Sequence, residues 1–302
     1  MNTLTKVFNY KHEKSKILSS IVLSWSNQSA IAYGTENSEI IIIDLSGEKL
    51  AEYKLKSGPI SALLHLELNG KNFIVAGSEN DTITVQSDSG EAFELKGGHK
   101  SDVTCFTSVV QNNSIHFVSG GYDGSILVWD PKIWKTINRI KSGCQIMSLV
   151  GSIINGKQVI LSGELDWTIK IYDVCGDLVV KFQAHTESVL TLRVIRRNDN
   201  LVVVSGGMDG YVKTFSTDGT LLAEYSAHSD FVRSVLDFDQ NGKLVLISGE
   251  ESGTLRVWDV DSKSLITSAQ GHESAIKNLR SVVFKGNASV VSVCKSEINI
   301  WN

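Results

Sequence analysis

Apolar positions in this chain come in short runs rich in Val, Ile and Leu, each of strand length, separated by polar turn residues. Val103–Ser108, His116–Ser119, Ser125–Trp129 and Thr136–Ile140 form one group of four. Val189–Val194, Leu201–Ser205, Tyr211–Phe215 and Leu221–Tyr225 form another. The breaks fall where turn chemistry demands them. Asp123-Gly124, Asp209-Gly210 and Asp218-Gly219 favour tight hairpins, because Gly, and Asp to a lesser degree, tolerates positive φ. No segment carries a helical period, so the pattern predicts an all-β chain of consecutive hairpins.

The groups recur at one period. A first column runs His12, Lys56, His99, Ser142, His185, His228 and His272, with spacings of 44, 43, 43, 43, 43 and 44. Twenty residues on, and 21 in the first repeat, lies a second column of Tyr33, Ala76, Ser119, Ser162, Ser205, Ser248 and Ser292. A turn position follows at Asn37, Asn80, Asp123, Asp166, Asp209 and Ser252. The repeat then ends at Ile43, Gln86, Trp129, Tyr172, Phe215, Trp258 or Trp301. The stretch SGGYDGSILVWD at residues 119–130 shows it best.

A Gly-His start, an Asp-bearing turn and a Trp-Asp end at this period resemble the WD40-repeat family across essentially all 302 residues. The resemblance implies one four-stranded blade per repeat and a seven-bladed β-propeller as a single domain over residues 1–302. The last repeat supplies only three strands, Ile276–Phe284, Val290–Val293 and Glu297–Trp301. Residues 272–302 number 31 and residues 1–11 number 11, together 42, close to one repeat. An N-terminal strand expected at Leu4–Phe8 therefore completes the last blade, as is common in that family, and leaves no open edge.

Composition adds bounds. Net charge is −4 and no Lys/Arg run exceeds a pair, so no nucleic-acid footprint is indicated. The apolar runs are too short for a helical membrane span, and no uninterrupted apolar leader opens the chain. Cys105, Cys144, Cys175 and Cys294 are far apart with no CxxC, as expected of reduced thiols in a cytoplasmic or nuclear protein. Asn27, Asn112 and Asn287 open N-x-S sequons, read as chance matches without a secretory signal.

His99, Ser119 and Asp123 have the residue types of a hydrolase triad, with Trp129 beside them. The set recurs in whole or part, as His185, Ser205 and Asp209 and as His228, Ser248 and Trp258, whereas an enzyme needs one nucleophile. No G-x-S-x-G elbow, metal-ligand spacing or phosphate-binding glycine motif accompanies it. These residues read as structural networks pinning a loop to the strands, smaller where Phe215 replaces Trp. No enzyme activity, cofactor or metal is expected.

The resemblance places partner binding on the narrower face, where residues preceding the turn position meet loops following the first column. Exposed anchors expected there are Tyr122, Leu165, Trp167, Met208, Phe231 and Arg233, with Met147 and Leu190 beside them and acidic Glu36 and Glu79 on the other flank. Aromatics, Met and Arg are typical interface anchors. The expectation is a non-catalytic scaffold or adaptor, monomeric itself within a hetero-complex, binding a protein or peptide partner. The alternative is recognition of ubiquitin or a modified peptide in the central opening. With only Arg233 and Lys277 evident on that face, phosphopeptide recognition ranks low.

Overall fold

Alternating strands and short turns produce a stack of hairpins, and the computed structural model shows how they close. It describes residues 4–302 except 27, 112, 227 and 241; Asn27 and Asn112, which open two of the sequons, lie outside the described residues. Seven four-stranded antiparallel sheets form a seven-bladed propeller, with no helix among the described residues. Blades 1 to 6 span residues 17–54, 60–94, 103–141, 146–183, 189–225 and 232–270. Blade 7 joins Asn278–Phe284, Asn287–Val293 and Glu297–Trp301 to Lys6–Lys11 as its outermost strand. The closing strand thus begins later than Leu4 and runs to Lys11, paired with Glu297.

Strands facing the hairpin tips are longer than their apolar runs. Val103–Gln111 pairs with Ser114–Gly121 to its last residue, Gln111 opposite Ser114. The pairing continues through polar residues that no apolar pattern marks. Innermost strands of successive blades lie side by side around the ring, and Asn278–Phe284 meets Ile17–Trp25 to close it.

Burial occurs between blades. Seven apolar clusters correspond to the seven neighbouring pairs, including blade 7 against blade 1 through Val291, Val293, Ile298, Ile17, Tyr33 and Ile41. Six interfaces share one seat: a Cβ added at Gly34, Gly77, Gly120, Gly163, Gly206 or Gly249 would lie 2.5–2.8 Å from Ile60, Val103, Ile146, Val189, Val232 or Ile276 of the next blade, each of which opens the inner strand except Ile276, two residues before it. At the seventh, Val293 occupies the glycine's register position, following Ser292. Hydroxyls stitch the inner strands together as well. Ser19 donates to Ile60 O at 2.8 Å, Ser61 to Val103 O at 2.5 Å and Thr104 to Ile146 O at 2.6 Å.

Candidate functional site

The repeat columns meet at the blade ends. In blade 3, His99 Nδ1 faces Asp123 Oδ1 at 3.0 Å and Nε2 faces Ser119 Oγ at 2.7 Å, while the Trp129 indole N–H donates to the same Oγ at 2.9 Å. One arrangement satisfies every group: neutral His99 donates from Nδ1 to the carboxylate, Ser119 donates to Nε2, and Trp129 donates to Ser119. Asp123 also accepts the backbone N–H groups of Lys100 and Ser125. Burial alone would raise its carboxyl, but these bonds outweigh burial and hold it at about 2. Burial pushes His99 below its ordinary value against the pull of Asp123.

Blade 5 keeps the His185–Asp209 and His185–Ser205 bonds, at 2.8 and 2.7 Å, with Phe215 buried in the aromatic position. Blade 6 keeps His228–Ser248 and Trp258–Ser248, at 2.7 and 2.9 Å, but Ser252 replaces the turn Asp. There, fully buried Glu250 is paired with Arg256 and accepts from Ser229 and Ser252, while His228 Nδ1 has no partner among the described residues.

Blade 4, with Ser142 in place of His, uses the same device. Buried Glu164 takes the Ser142 and Ser162 hydroxyls on one oxygen and Lys170 Nζ on the other at 2.7 Å. Tyr172 completes it through Ser142 Oγ at 2.9 Å. Sequence reasoning missed these Glu–Lys and Glu–Arg pairs. Their signal is a Glu two residues after the Ser column followed six later by a cation. In blades 3 and 5 the same column holds Gly121 and Gly207, where an added Cβ would lie 2.6 Å from the histidine Nδ1.

Two groups could present metal-ligand atoms. His272, Cys294 and Glu297, and separately Cys144, Glu164 and Asp166, place donor atoms within 4.8 Å of one another. Both sets are engaged in blade networks: His272 with Ser292 at 2.7 Å, Glu297 with Lys11 at 3.4 Å, and Glu164 as above. Burial would raise the Cys294 thiol, but bonds from His272, Ser274 and the Ser296 backbone prevail and bring it to about 7.

On the rim, one bond repeats six times. The N–H groups of Glu36, Glu79, Tyr122, Leu165, Met208 and Glu251 donate to the carbonyls of Lys16, Pro59, Asp102, Gln145, Ser188 and Phe231 at 2.9–3.1 Å. This sets the pre-turn residues at one level around the face. Tyr122, Trp167 and Phe231 are 41%, 43% and 37% exposed, and Leu165 and Met208 are half-buried. Trp167 has φ 72°, in the left-handed region, at the turn position that Gly124, Gly210 and Gly253 fill in other blades. Arg233 is held by Glu251 and lies 5.9 Å over the Phe231 ring, so it supports that ring rather than reaching outward. Glu36 is bound to Lys16 at 2.8 Å, whereas exposed Glu79 has no ion-pair partner among the described residues.

The second residue of each inner strand in blades 1 to 6 and, in blade 7, the residue just before that strand form a ring at the channel mouth: Leu18, Ser61, Thr104, Met147, Leu190, Arg233 and Lys277. Met147 and Leu190 face this opening as an apolar arc, and Arg233 and Lys277 as a basic one. Tyr122 and Glu79 also line the mouth; Trp167, Phe231, Leu165, Met208 and Glu36 stand outside it.

Residues 92–130, 176–216 and 219–259 match the family model described as WD domain, G-beta repeat. The chain is also 27% identical over 136 residues to Autophagy-related protein 16 of Arabidopsis thaliana, a match covering 44% of this chain and 26% of that protein. The match therefore spans about a quarter of that relative's length.

Proposed function

Because this chain is a seven-bladed propeller of the WD40-repeat family, we propose that it is a non-catalytic interaction platform, a subunit or adaptor whose narrow-face rim binds a protein partner. The observation that carries this reading is Trp167. A bulky side chain in the left-handed region costs about 1–2 kcal/mol that glycine avoids, and here the cost is met for a side chain left exposed. Tyr122 and Phe231 add exposed rings in blades 3 and 6, the residue types that dominate interface energetics. The repetition of the His–Ser–Asp set in blades 3 and 5, and of its His–Ser part in blades 6 and 7, each time within a strand-pinning network, supports a structural role for it. A cytoplasmic or nuclear setting agrees with the unpaired cysteines. The partial likeness to Autophagy-related protein 16 agrees with an adaptor role.

Trp167→Gly tests the reading with two opposite signs. Its melting temperature should rise by a few degrees as backbone strain is released. Native-lysate capture with quantitative mass spectrometry should lose partners that the wild type retains. A stabilised variant that keeps every partner at equal abundance would remove Trp167 from the interface and the main support for the rim.

A further inference from the structure

The channel wall changes charge with depth. At the mouth, around a space of about 410 Å³, Glu79, Asp102 and Glu251 stand among Arg233, Lys277 and Lys295. Below it a chamber of about 460 Å³ is lined by Arg193, Arg233, Lys277 and Arg280 and by no carboxylate among the described residues. Arg193 and Arg280 come from the inner strands of blades 5 and 7. Arg193 Nε donates to Val235 O at 3.2 Å and Arg280 Nη1 to Leu279 O at 2.9 Å. Each guanidinium carries five N–H donors. Arg197, Arg233 and Arg256 are ion-paired; Arg193 and Arg280 have no such partner among the described residues. Asp237 acts on Arg193 only through space.

Arg193 and Arg280 are half-buried, and cations withdrawn from water without a counter-charge are costly. The strain is visible in Arg280, pushed down to about 10 by burial first and by Arg193 second, and in Lys277, lowered by burial and then by Lys295 and Arg233. Hydroxyls complete the wall. Thr107 Oγ1 accepts the Gly151 N–H at 2.8 Å, Ser148 Oγ that of Leu192 at 3.1 Å and Ser234 Oγ that of Leu279 at 3.0 Å. Each therefore keeps its own proton to donate.

We propose that the lower chamber is a phosphate-binding site in which Arg193 and Arg280 grip a tetrahedral oxyanion and the channel hydroxyls donate to its remaining oxygens. Planar guanidinium forks suit phosphate oxygens, and a tetrahedral anion uses more of these donors than a carboxylate can. The acidic residues at the mouth favour a small occupant, either free phosphate or a phosphorylated small molecule. The site does not depend on the rim being an interface.

The test is thermal melting of the whole chain in sodium chloride, inorganic phosphate or inositol hexakisphosphate at matched ionic strength. Phosphate or inositol hexakisphosphate should raise the melting temperature by several degrees over chloride. A larger rise with inositol hexakisphosphate identifies a polyphosphate source, and an equal one identifies free phosphate. Arg193→Gln and Arg280→Gln should melt no lower than wild type in chloride, since each removes a half-buried charge without an ion-pair partner, and should bind phosphate about tenfold or more weakly. A wild type that responds to all three salts alike overturns the site. So does a phosphate-specific rise that survives both substitutions.

Discussion

At the residue scale, the ends of blades 3 to 6 solve one problem, holding a turn against two strands, with either of two electrostatic devices. Where the turn supplies Asp, the histidine binds it and the column beside it must be Gly, as at Gly121 and Gly207. Where the turn or the histidine column fails to supply its partner, Glu164 or Glu250 fills that space and draws in Lys170 or Arg256. Blade 6 mixes the two devices and leaves His228 Nδ1 without a partner. Burial, opposed by Glu250 and assisted by Arg256, pushes His228 down from 6.5 to about 4. The unfolded chain then takes up a proton before the folded one does. Stability from this group is complete above about pH 6.5 and lost as pH falls through 4. His99 and His12, both lowered first by burial, act in the same direction. His228→Ser, which imitates Ser142, should therefore lower the melting temperature at pH 7.5 but flatten its decline between pH 6.5 and 4.5. Melting curves that decline in parallel for variant and wild type would show that His228 does not titrate in this way. The histidine, serine and aromatic columns were legible because they repeat. The Glu–Lys and Glu–Arg pairs were hidden because their column holds Gly, Ser, Thr or Cys in the other blades, so no repeat average shows it.

At the element scale, the glycine seats explain how blades with different strand sequences adopt one spacing. Gly77 admits the Val103 side chain, whose Cγ1 would lie 2.5 Å from an added Cβ. Gly77→Ala should destabilise by about 1–3 kcal/mol through overpacking. Combined with Val103→Ala it should cost less than the sum of the two single changes, because the second change removes the Cγ1 that makes the nearest contact, leaving the Val103 Cβ at 2.8 Å. Additive losses in denaturant unfolding would place the Gly77 penalty in strand geometry instead of the seat. Strand number, order and the period were readable from apolar runs and turn dipeptides such as Asp123-Gly124. The strand extensions to the hairpin tips were not, because polar ends such as Lys157 and Gln158 pair by backbone alone. The channel arginines escaped notice for a related reason. In the sequence Arg193 and Arg280 are single polar positions in half-buried strands, a common pattern at a sheet surface. Only closure of the ring brings blades 5 and 7 close enough for the two charges to act on each other.

At the scale of the whole molecule, a ring is as strong as its closing interface, and that interface is built differently from the other six. It lacks the glycine seat and instead receives Lys6–Lys11, drawn from the opposite end of the chain. Phe8 and Tyr10 pack on the blade 7–blade 1 cluster, and the Tyr10 hydroxyl meets that of Tyr33 at 2.9 Å, linking the strand to blade 1 through His12 at 3.2 Å. Asn9 donates to Asn299 at 2.6 Å, Lys11 pairs with Glu297, and Thr5 and Asn302 exchange two backbone bonds at 3.0 Å. Removing residues 1–11 would discard both half-buried aromatics and leave Glu297–Trp301 as an unprotected edge. The expected loss is about 3–5 kcal/mol, comparable to deleting one buried aromatic outright. The exposed edge should also pair with a second copy. Light scattering should therefore detect dimers or larger species at concentrations where the full chain is monomeric, and a synthetic peptide of residues 4–13 should restore both the monomer and much of the lost stability. A truncated chain that stays monomeric and melts with the wild type would mean that the inner-strand contact between 278–284 and 17–25 closes the ring unaided.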